Sequence, residues 1–333
     1  MSSTFTVYGW LVCLWVLILA FQYGYHISVL NQLQDIITCK NAAETCTGIP
    51  MDEPTFSAVT ASFTFGGLIG SLASDKLMAK HGRHGAARVS GVCTTAGTAL
   101  MAFAGSVTLF GLGRTIVGAG SGIGICVAPL YLAEIAPKKI AGGVGVLTQL
   151  SIVFGIMITQ LLGLLLAAPS TWRLVILVST ALAAVQLFVS PLAPESPAVL
   201  AARGRLDVRN QVARALWGDV GAGPSVTSTA DDGSQDPLLE DEAEARRQDG
   251  AQGAPAVSAR QALTAPDLRR ALLIVCLSMA SQQVSVVGVA VLYYSNAILS
   301  KTLPDMGPYL SLGITIVNAI MTFPPIILIE ASR

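Results

Sequence analysis

Long apolar runs recur along the chain, and short polar connections separate most of them. Each run is about 20 residues long, which as a helix crosses the roughly 30 Å of hydrocarbon in a bilayer. The runs lie near residues 8–28, 56–77, 88–110, 113–133, 143–166, 173–193, 270–295 and 308–329. This pattern predicts eight membrane-spanning helices and an all-α, polytopic membrane helix bundle.

One long polar segment, residues 195–267, interrupts the series after the sixth run. Its central part, "ADDGSQDPLLEDEAEARRQDG", is acidic and has no hydrophobic periodicity, a pattern typical of a solvated, disordered stretch. We therefore expect a six-helix bundle over residues 1–194, a loop over 195–267, and the first two helices of a second bundle over 268–333.

Composition and charge agree with this interpretation. Hydrophobic residues make up 53% of the chain, charged residues only 12%, and the mean hydropathy is +0.63, far from the values of a soluble domain. Zero formal net charge and the lack of a basic stripe argue against a nucleic-acid partner, so the expected partner is the lipid bilayer.

Lysine and arginine are concentrated in the connections after the second, fourth and sixth runs. Cytoplasmic loops are enriched in these residues. We therefore expect both termini in the cytosol, the loops after runs one, three, five and seven on the outer or lumenal side, and the plasma membrane as the location.

The cysteines do not have the spacing of a metal site, and nothing in the sequence calls for a cofactor. Four of them lie within apolar runs, where a free thiol packs as a small hydrophobe: Cys13, Cys93, Cys126 and Cys276. Cys39 and Cys46 lie in a predicted outer loop, where oxidation can occur, but spacing alone does not establish a disulfide between them.

A glycine-rich stretch, "GRTIVGAGSGIGICVAPLYLAEIAP", raises the question of a phosphate-binding turn. Its glycines alternate at Gly118, Gly120, Gly122 and Gly124, and the third glycine of a dinucleotide fingerprint is not in place. The flanks are apolar. The stretch instead forms small-xxx-small pairs that permit close helix packing, and we do not expect an enzyme.

Polar residues within the apolar runs are the candidates for a binding site, because polar groups in lipid normally face a cavity or a partner. In the fifth run, Gln149, Ile152, Ile156 and Gln160 share one helix face. Glutamine offers a donor and an acceptor, which suits a polyhydroxylated ligand. An interhelical hydrogen bond explains the same amides equally well.

Other runs contain similar residues. The seventh run has two adjacent amides followed by two tyrosines: Gln282, Gln283, Tyr293 and Tyr294. Asn318 lies in the middle of the eighth run. His26 lies in the first run; a lone histidine is more often a packing residue, although one within lipid is a functional candidate.

Taken together, these segments resemble the sugar porter family of the major facilitator superfamily, most closely the facilitative hexose transporters. The resemblance rests on "FQYGYHISVLN", "GRTIVG", "PLYLAEIAP", "TQLSIVFGIMITQLLG", "WR", "PESP", "SQQ", "YYS" and "GITIVN", in that order. It implies a twelve-helix transporter of two six-helix halves, with a central hexose site open alternately to either side. The N-terminal half would be complete here and the C-terminal half partial.

The resemblance also implies roles for particular residues. The implied sugar-binding residues are Gln149, Ile152, Ile156, Gln282, Gln283 and Asn318, and the implied outer gate is Tyr293 and Tyr294. The implied cytoplasmic charge network consists of Arg83, Arg114, Glu134, Glu195 and Glu330.

Departures from the family pattern leave alternatives open. His26 stands where proton-coupled members have aspartate and uniporters have asparagine, which favours a facilitator but leaves a proton-coupled symporter using His26 as an alternative. No asparagine follows "SQQ" at the place where hexose carriers have one, and the chain stops after eight of twelve spans. A non-transporting sugar receptor or scaffold is the other alternative, and the sequence indicates neither the particular sugar nor the oligomeric state.

Overall fold

A computed structural model describes residues 5–39, 47–137, 140–166, 168–218, 266–284, 298–299 and 306–324. The helices are α1 (Val7–Ser28), α2 (Gln34–Ile37), α3 (Glu53–Ala102), α4 (Val107–Ile135), α5 (Ala141–Leu166), α6 (Trp172–Val189), α7 (Pro197–Ala202), α8 (Leu206–Trp217), α9 (Pro266–Val284) and α10 (Gly307–Met321). A 3₁₀ turn, Ser190–Leu192, follows α6. Five of the described helices, α1 and α3 to α6, are long and apolar enough to cross a membrane.

Helix α3 contains the second and third predicted spans within its 50 residues. Gly82 divides it, with φ 79° and ψ −177°, so the chain reverses direction there. The third span was predicted to continue to residue 110, and this prediction was wrong. The helix ends at Ala102, and the Ser106 side chain accepts a hydrogen bond from Leu109 N to begin α4, because serine caps a helix N-terminus.

Two ends of the bundle can be distinguished. At the basal end, α1 begins, α4 ends and α8 joins them: Thr6 N donates to Leu216 O at 3.0 Å, and Trp217 Nε1 donates to Ile135 O at 2.8 Å. At the distal end, α3 ends and α6 begins, and Arg173 Nη1 donates to Ala102 O at 2.8 Å.

The glycine stretch in α4 is a packing surface, as predicted. A Cβ atom on Gly118 or Gly122 would overlap the carbonyl oxygens of Phe63 and Gly67 in the first half of α3. On another side of α4, a Cβ atom on Gly120 would lie 2.8 Å from Ser90 O in the second half of α3. The α4 backbone therefore lies against both halves of α3, which only glycine allows at this distance.

Helix α10 packs against α5 and contacts the turn that follows α1. Asn31 Nδ2 lies 3.4 Å from Ser311 Oγ, and Gln32 Nε2 lies 3.4 Å from Pro308 O. Helix α9 belongs to a separate compact unit of the chain.

The four cysteines within apolar runs were predicted to be free, and the described residues confirm this. Cys13, Cys93, Cys126 and Cys276 are free thiols. Cys39 is disulfide-bonded, while Cys46 lies outside the described residues.

Candidate functional site

Exposure falls along the candidate binding stripe on α5, from the basal to the distal end of the helix. Gln149 is exposed and Ile152 half-buried, whereas Ile156 is 3% exposed and Gln160 is fully buried. Neither amide atom of Gln160 has a hydrogen-bond partner among the described residues. The stripe predicted from sequence therefore faces the interior in its distal part and is open in its basal part.

The Gln32 side chain contacts both α5 and α10 and so gives a common reference level for the two helices. A Cβ atom on Gly163 of α5 would lie 2.5 Å from Gln32 Cβ, and the Gln32 amide reaches Pro308 at the start of α10. At 1.5 Å per residue, Gln149 lies about 21 Å from this level along α5 and Asn318 about 15 Å along α10. The two amides thus lie within about 6 Å of each other in depth, roughly one helical turn.

Asn318 shares the α10 face that carries Ser311, a buried residue, because the two are separated by two helical turns. Ser311 is buried and contacts Asn31 in the turn after α1, whereas Asn318 is exposed. Gln149 and Asn318 are therefore exposed amides on two apolar helices that pack together distally. Such groups are costly in hydrocarbon and inexpensive against water or a polar ligand.

Several predicted site residues cannot be placed. Gln282 and Gln283 fall within α9, but their side chains lie outside the described part of the chain. Tyr293, Tyr294 and Glu330 are also outside the described residues.

A polar cluster at the basal end includes three of the residues expected to form a charge network. Arg83 binds Glu134 with two nitrogens, Nη2 at 2.8 Å and Nε at 3.1 Å from Oε1. The side chains are 23% and 14% exposed. Ser196 Oγ donates to the other Glu134 oxygen. The cluster joins the turn within α3 to the end of α4 and the start of α7.

Glu195 belongs to the same cluster but binds backbone rather than a basic side chain. Its Oε1 accepts from Arg83 N at 2.9 Å, His84 N at 3.2 Å and Ser196 N at 2.9 Å. Arg83 and His84 open the second half of α3, so the carboxylate satisfies amide groups that a helix N-terminus leaves unpaired and interacts favourably with the helix dipole.

Arg114 lies apart from this cluster. It precedes Glu134 by 20 residues on the same continuous helix, a separation of about 30 Å. The guanidinium is fully buried, with Cζ 4.6 Å from the centre of the Phe63 ring, in a cation–π arrangement. Arg114 therefore does not join the basal charge cluster that the resemblance implied for it.

His26, in α1, faces α6. Its Nε2 is 2.6 Å from Ser179 Oγ, and the side chain is fully buried. One turn below, Gln22 Nε2 donates to Gln186 Oε1 at 3.2 Å. The histidine is thus one of a series of buried polar contacts between these two helices.

Sequence reasoning missed several of these contacts. Ser179, Ser196 and Gln186 were not singled out, because a lone serine or glutamine in an apolar run gives no signal of its partner. Gly82 has a recognisable signal, a glycine between two basic residues in "KHGRH". Among the described residues, no group of three or more histidine, cysteine or acidic side chains could hold a metal ion.

Comparisons with solved structures identify the fold. The chain matches the xylose transporter XylE from E. coli in a partially occluded inward-open conformation, with a TM-score of 0.71, 18% identity, and coverage of 98% of this chain and 72% of that one. It also matches the proton:xylose symporter XylE bound to 6-bromo-6-deoxy-D-glucose, with a TM-score of 0.72 and 19% identity over 96% of this chain and 69% of the other. The fold predicted from the sequence, a polytopic helix bundle like that of these two transporter structures, is confirmed.

Sequence comparisons identify the family. The family model "Sugar (and other) transporter" matches residues 12–332. The sheep "solute carrier family 2, facilitated glucose transporter member 3" is 30% identical over 324 residues, and the human member 5 is 31% identical over 326; each alignment covers 93% of this chain. The chain therefore belongs to the sugar transporter family, an integral, multi-pass membrane class rather than an enzyme class. It spans 62% of the length of these relatives.

Proposed function

We propose that the chain takes part in facilitative transport of a hexose by alternating access. The observation that carries the proposal is the pair of exposed amides, Gln149 on α5 and Asn318 on α10, at similar depth on helices that pack together. In a member of a sugar transporter family, the ligand that suits such amides is a sugar. The relatives are named as facilitated glucose transporters, which favours a hexose.

The predicted sugar-binding residues have distinct roles in this proposal. The Gln149 and Asn318 amides donate to and accept from sugar hydroxyls, replacing the water of the free sugar. The half-buried Ile152 contacts the apolar face of the sugar ring, and the buried Ile156 closes the site beyond it and excludes water. The family resemblance also assigns sugar binding to Gln282 and Gln283, and this role stays a prediction. We expect a dissociation constant near millimolar, about 4 kcal/mol, because a carrier must release what it binds.

Two sets of contacts serve the alternation between states. The distal contacts of Asn31 with Ser311 and of Gln32 with Pro308 must break for the sugar to enter or leave at the distal end. The basal cluster of Arg83, Glu134 and Glu195 stabilises one packing of the basal end. A ligand shifts the balance between two such packings only through its differential affinity for them.

We further propose that the basal end faces the cytosol of a plasma-membrane protein. Lysine and arginine are concentrated in the basal connections, as the positive-inside tendency requires. The disulfide-bonded Cys39 follows the distal end of α1, which is consistent with an oxidising compartment on that side.

Uptake measurements test the proposal. Labelled glucose and fructose are offered to cells that lack their own hexose carriers, with the chain expressed as it stands and extended by the four further spans of its relatives. We expect saturable uptake by the extended chain, and its loss in the Gln149→Ala variant. Gly145→Ala is the matched control, because the site of Gly145 on α5 has no neighbour within 4 Å of an added Cβ atom.

The outcome separates the alternatives. No uptake of either hexose, with normal surface expression, would contradict hexose transport. Sugar binding without uptake by either form would instead indicate a receptor or scaffold.

A further inference from the structure

The first half of α3 presents an apolar face outward over about two turns. Phe65, Leu68, Ile69 and Leu72 are 62%, 56%, 49% and 72% exposed. Their spacing of three, one and three residues places them on one side of the helix. Because α3 is a membrane-spanning helix, this face lies against lipid chains.

Two lysines continue this face beyond the apolar stretch. Lys76 and Lys80 follow Leu72 by four and eight residues, and both are exposed. They lie about 6 and 12 Å further towards the basal end, within about 80° of Leu72 around the helix. Lysine side chains buried along their stems against lipid direct the ammonium group to the headgroup region.

A third basic residue reaches the same place from another part of the chain. Arg203 Nη2 donates to Lys80 O at 3.1 Å and thereby anchors the turn between α7 and α8 at the basal end of this helix. Arg203 is exposed, and Arg205 follows it after Gly204, whose φ is 69°. The fold thus brings together basic residues more than 120 positions apart in the chain.

Nearby carboxylates do not neutralise this group. Glu134 and Glu195 are engaged with Arg83 and with backbone amides. Two exposed carboxylates remain nearby: Asp75 lies about 60° around the helix from Leu72, and Asp207 follows Arg205 by two residues. They are outnumbered by the four exposed basic residues Lys76, Lys80, Arg203 and Arg205. Positive charge therefore accumulates where the apolar face of α3 ends.

We propose that Lys76, Lys80 and Arg203 form a binding site for the headgroup of an anionic phospholipid in the leaflet at the basal end. The acyl chains lie along Phe65, Leu68 and Leu72. The headgroup, a phosphate and, in phosphatidylserine, a carboxylate, lies between the two lysines and the arginine. Arginine binds phosphate with two parallel donors and lysine binds it as a point charge. Basic groups next to a spanning helix are attracted to anionic leaflets in this way. The site does not depend on the transport proposal.

The test is lipid association with the full chain in nanodiscs of phosphatidylcholine with a minor fraction of spin-labelled lipid. The association constant of spin-labelled phosphatidylserine is compared with that of spin-labelled phosphatidylcholine by electron paramagnetic resonance. We expect a preference for phosphatidylserine that falls by about fivefold or more in a Lys76→Gln/Lys80→Gln variant, and also in Arg203→Gln. Lys76→Arg/Lys80→Arg should retain the preference.

The matched control removes the same charge elsewhere on the basal surface, in Arg209→Gln/Arg214→Gln on α8, where both arginines are exposed. The proposal is overturned if the preference survives in Lys76→Gln/Lys80→Gln or falls equally in the control. Soluble glycerophosphoserine, added at the concentration of the labelled lipid, distinguishes a lipid from a free anion. Displacement of the labelled lipid by the soluble headgroup at equal concentration would also overturn the proposal, whereas no displacement supports it.

Discussion

Gly82 leaves the space that the carboxylate of Glu195 occupies. A Cβ atom at Gly82 would overlap Glu195 Oε2, and the backbone there has φ 79°, in the region that favours glycine. Gly82 therefore lets α3 reverse direction. It also lets the Glu195 carboxylate reach the first backbone amides of the second half of α3. One glycine therefore determines both the turn between two spans and the geometry of the basal cluster.

Replacing this glycine should destabilise the protein. In Gly82→Ala the new methyl group displaces Glu195 and strains the backbone, for an expected loss of about 1–3 kcal/mol and a melting temperature lower by several degrees. Thermal unfolding in detergent measures the change. Gly145→Ala is the control, since its added Cβ atom meets no neighbour within 4 Å. Equal melting temperatures for the two variants would contradict this role for Gly82.

The contact of α4 with α3 gives a second prediction. In Gly122→Ala a methyl group overlaps the Gly67 carbonyl, so we expect a loss of about 1–3 kcal/mol from overpacking. Gly111→Ala on the same helix should be nearly neutral, because the nearest atom to its Cβ would be Val59 Cγ2 at 3.8 Å. Chemical denaturation in mixed micelles compares them. A neutral Gly122→Ala would show that the helices can separate without cost.

The Arg83–Glu134 pair should show energetic coupling. A double-mutant cycle with Arg83→Gln and Glu134→Gln is expected to give a coupling energy of about 1–2 kcal/mol. This exceeds the coupling energy of an exposed surface pair, because both side chains are mostly buried and Arg83 uses two nitrogens. Arg83→Lys should recover only part of it, since lysine lacks the planar fork. Arg88→Gln in place of Arg83→Gln supplies the control, as Arg88 is exposed and forms no ion pair with the described residues. Coupling as small as that with Arg88 would refute the pairing.

His26 distinguishes facilitation from proton-coupled transport. Its position against Ser179 Oγ makes it an interhelical hydrogen-bonding residue, and asparagine can keep one such bond. For the extended chain we expect sugar exchange by His26→Asn within about twofold of the unchanged chain, with no acidification of the cytosol in either. His26→Ala should lower stability, because it leaves the Ser179 hydroxyl buried without this partner. Sugar-dependent acidification that His26→Asn abolishes would establish proton symport instead.

Much of the fold follows from hydropathy, because a spanning helix must satisfy its backbone internally and cover its length with apolar side chains. The glycine surface of α4 was predicted for the same reason, since small residues at a spacing of four have one physical use in lipid. The end of the third span was not predicted. Ala102 to Ser106 are apolar or small, and only the capping bond of Ser106 marks the break.

The candidate site was predictable only in part. Amides on α5 and α10 stand out against apolar neighbours, but their relative depth depends on Gln32, which contacts both helices and gives no signal in sequence. Arg114 shows the reverse case. Its motif resembles that of a charge network, yet helix length alone separates it from Glu134 by about 30 Å.

The central claim is that Gln149 and Asn318 face one water-filled chamber, and cysteine labelling tests it most directly. In a chain whose free cysteines are replaced by serine, Gln149→Cys and Asn318→Cys are treated with a membrane-impermeant thiol reagent, with and without excess hexose. Val178→Cys, at an exposed apolar position on α6, is the control. We predict rapid labelling of the first two variants, slowed by hexose, and little labelling of the third. Labelling of Gln149→Cys and Asn318→Cys as slow as that of Val178→Cys would place both amides against lipid and contradict the account.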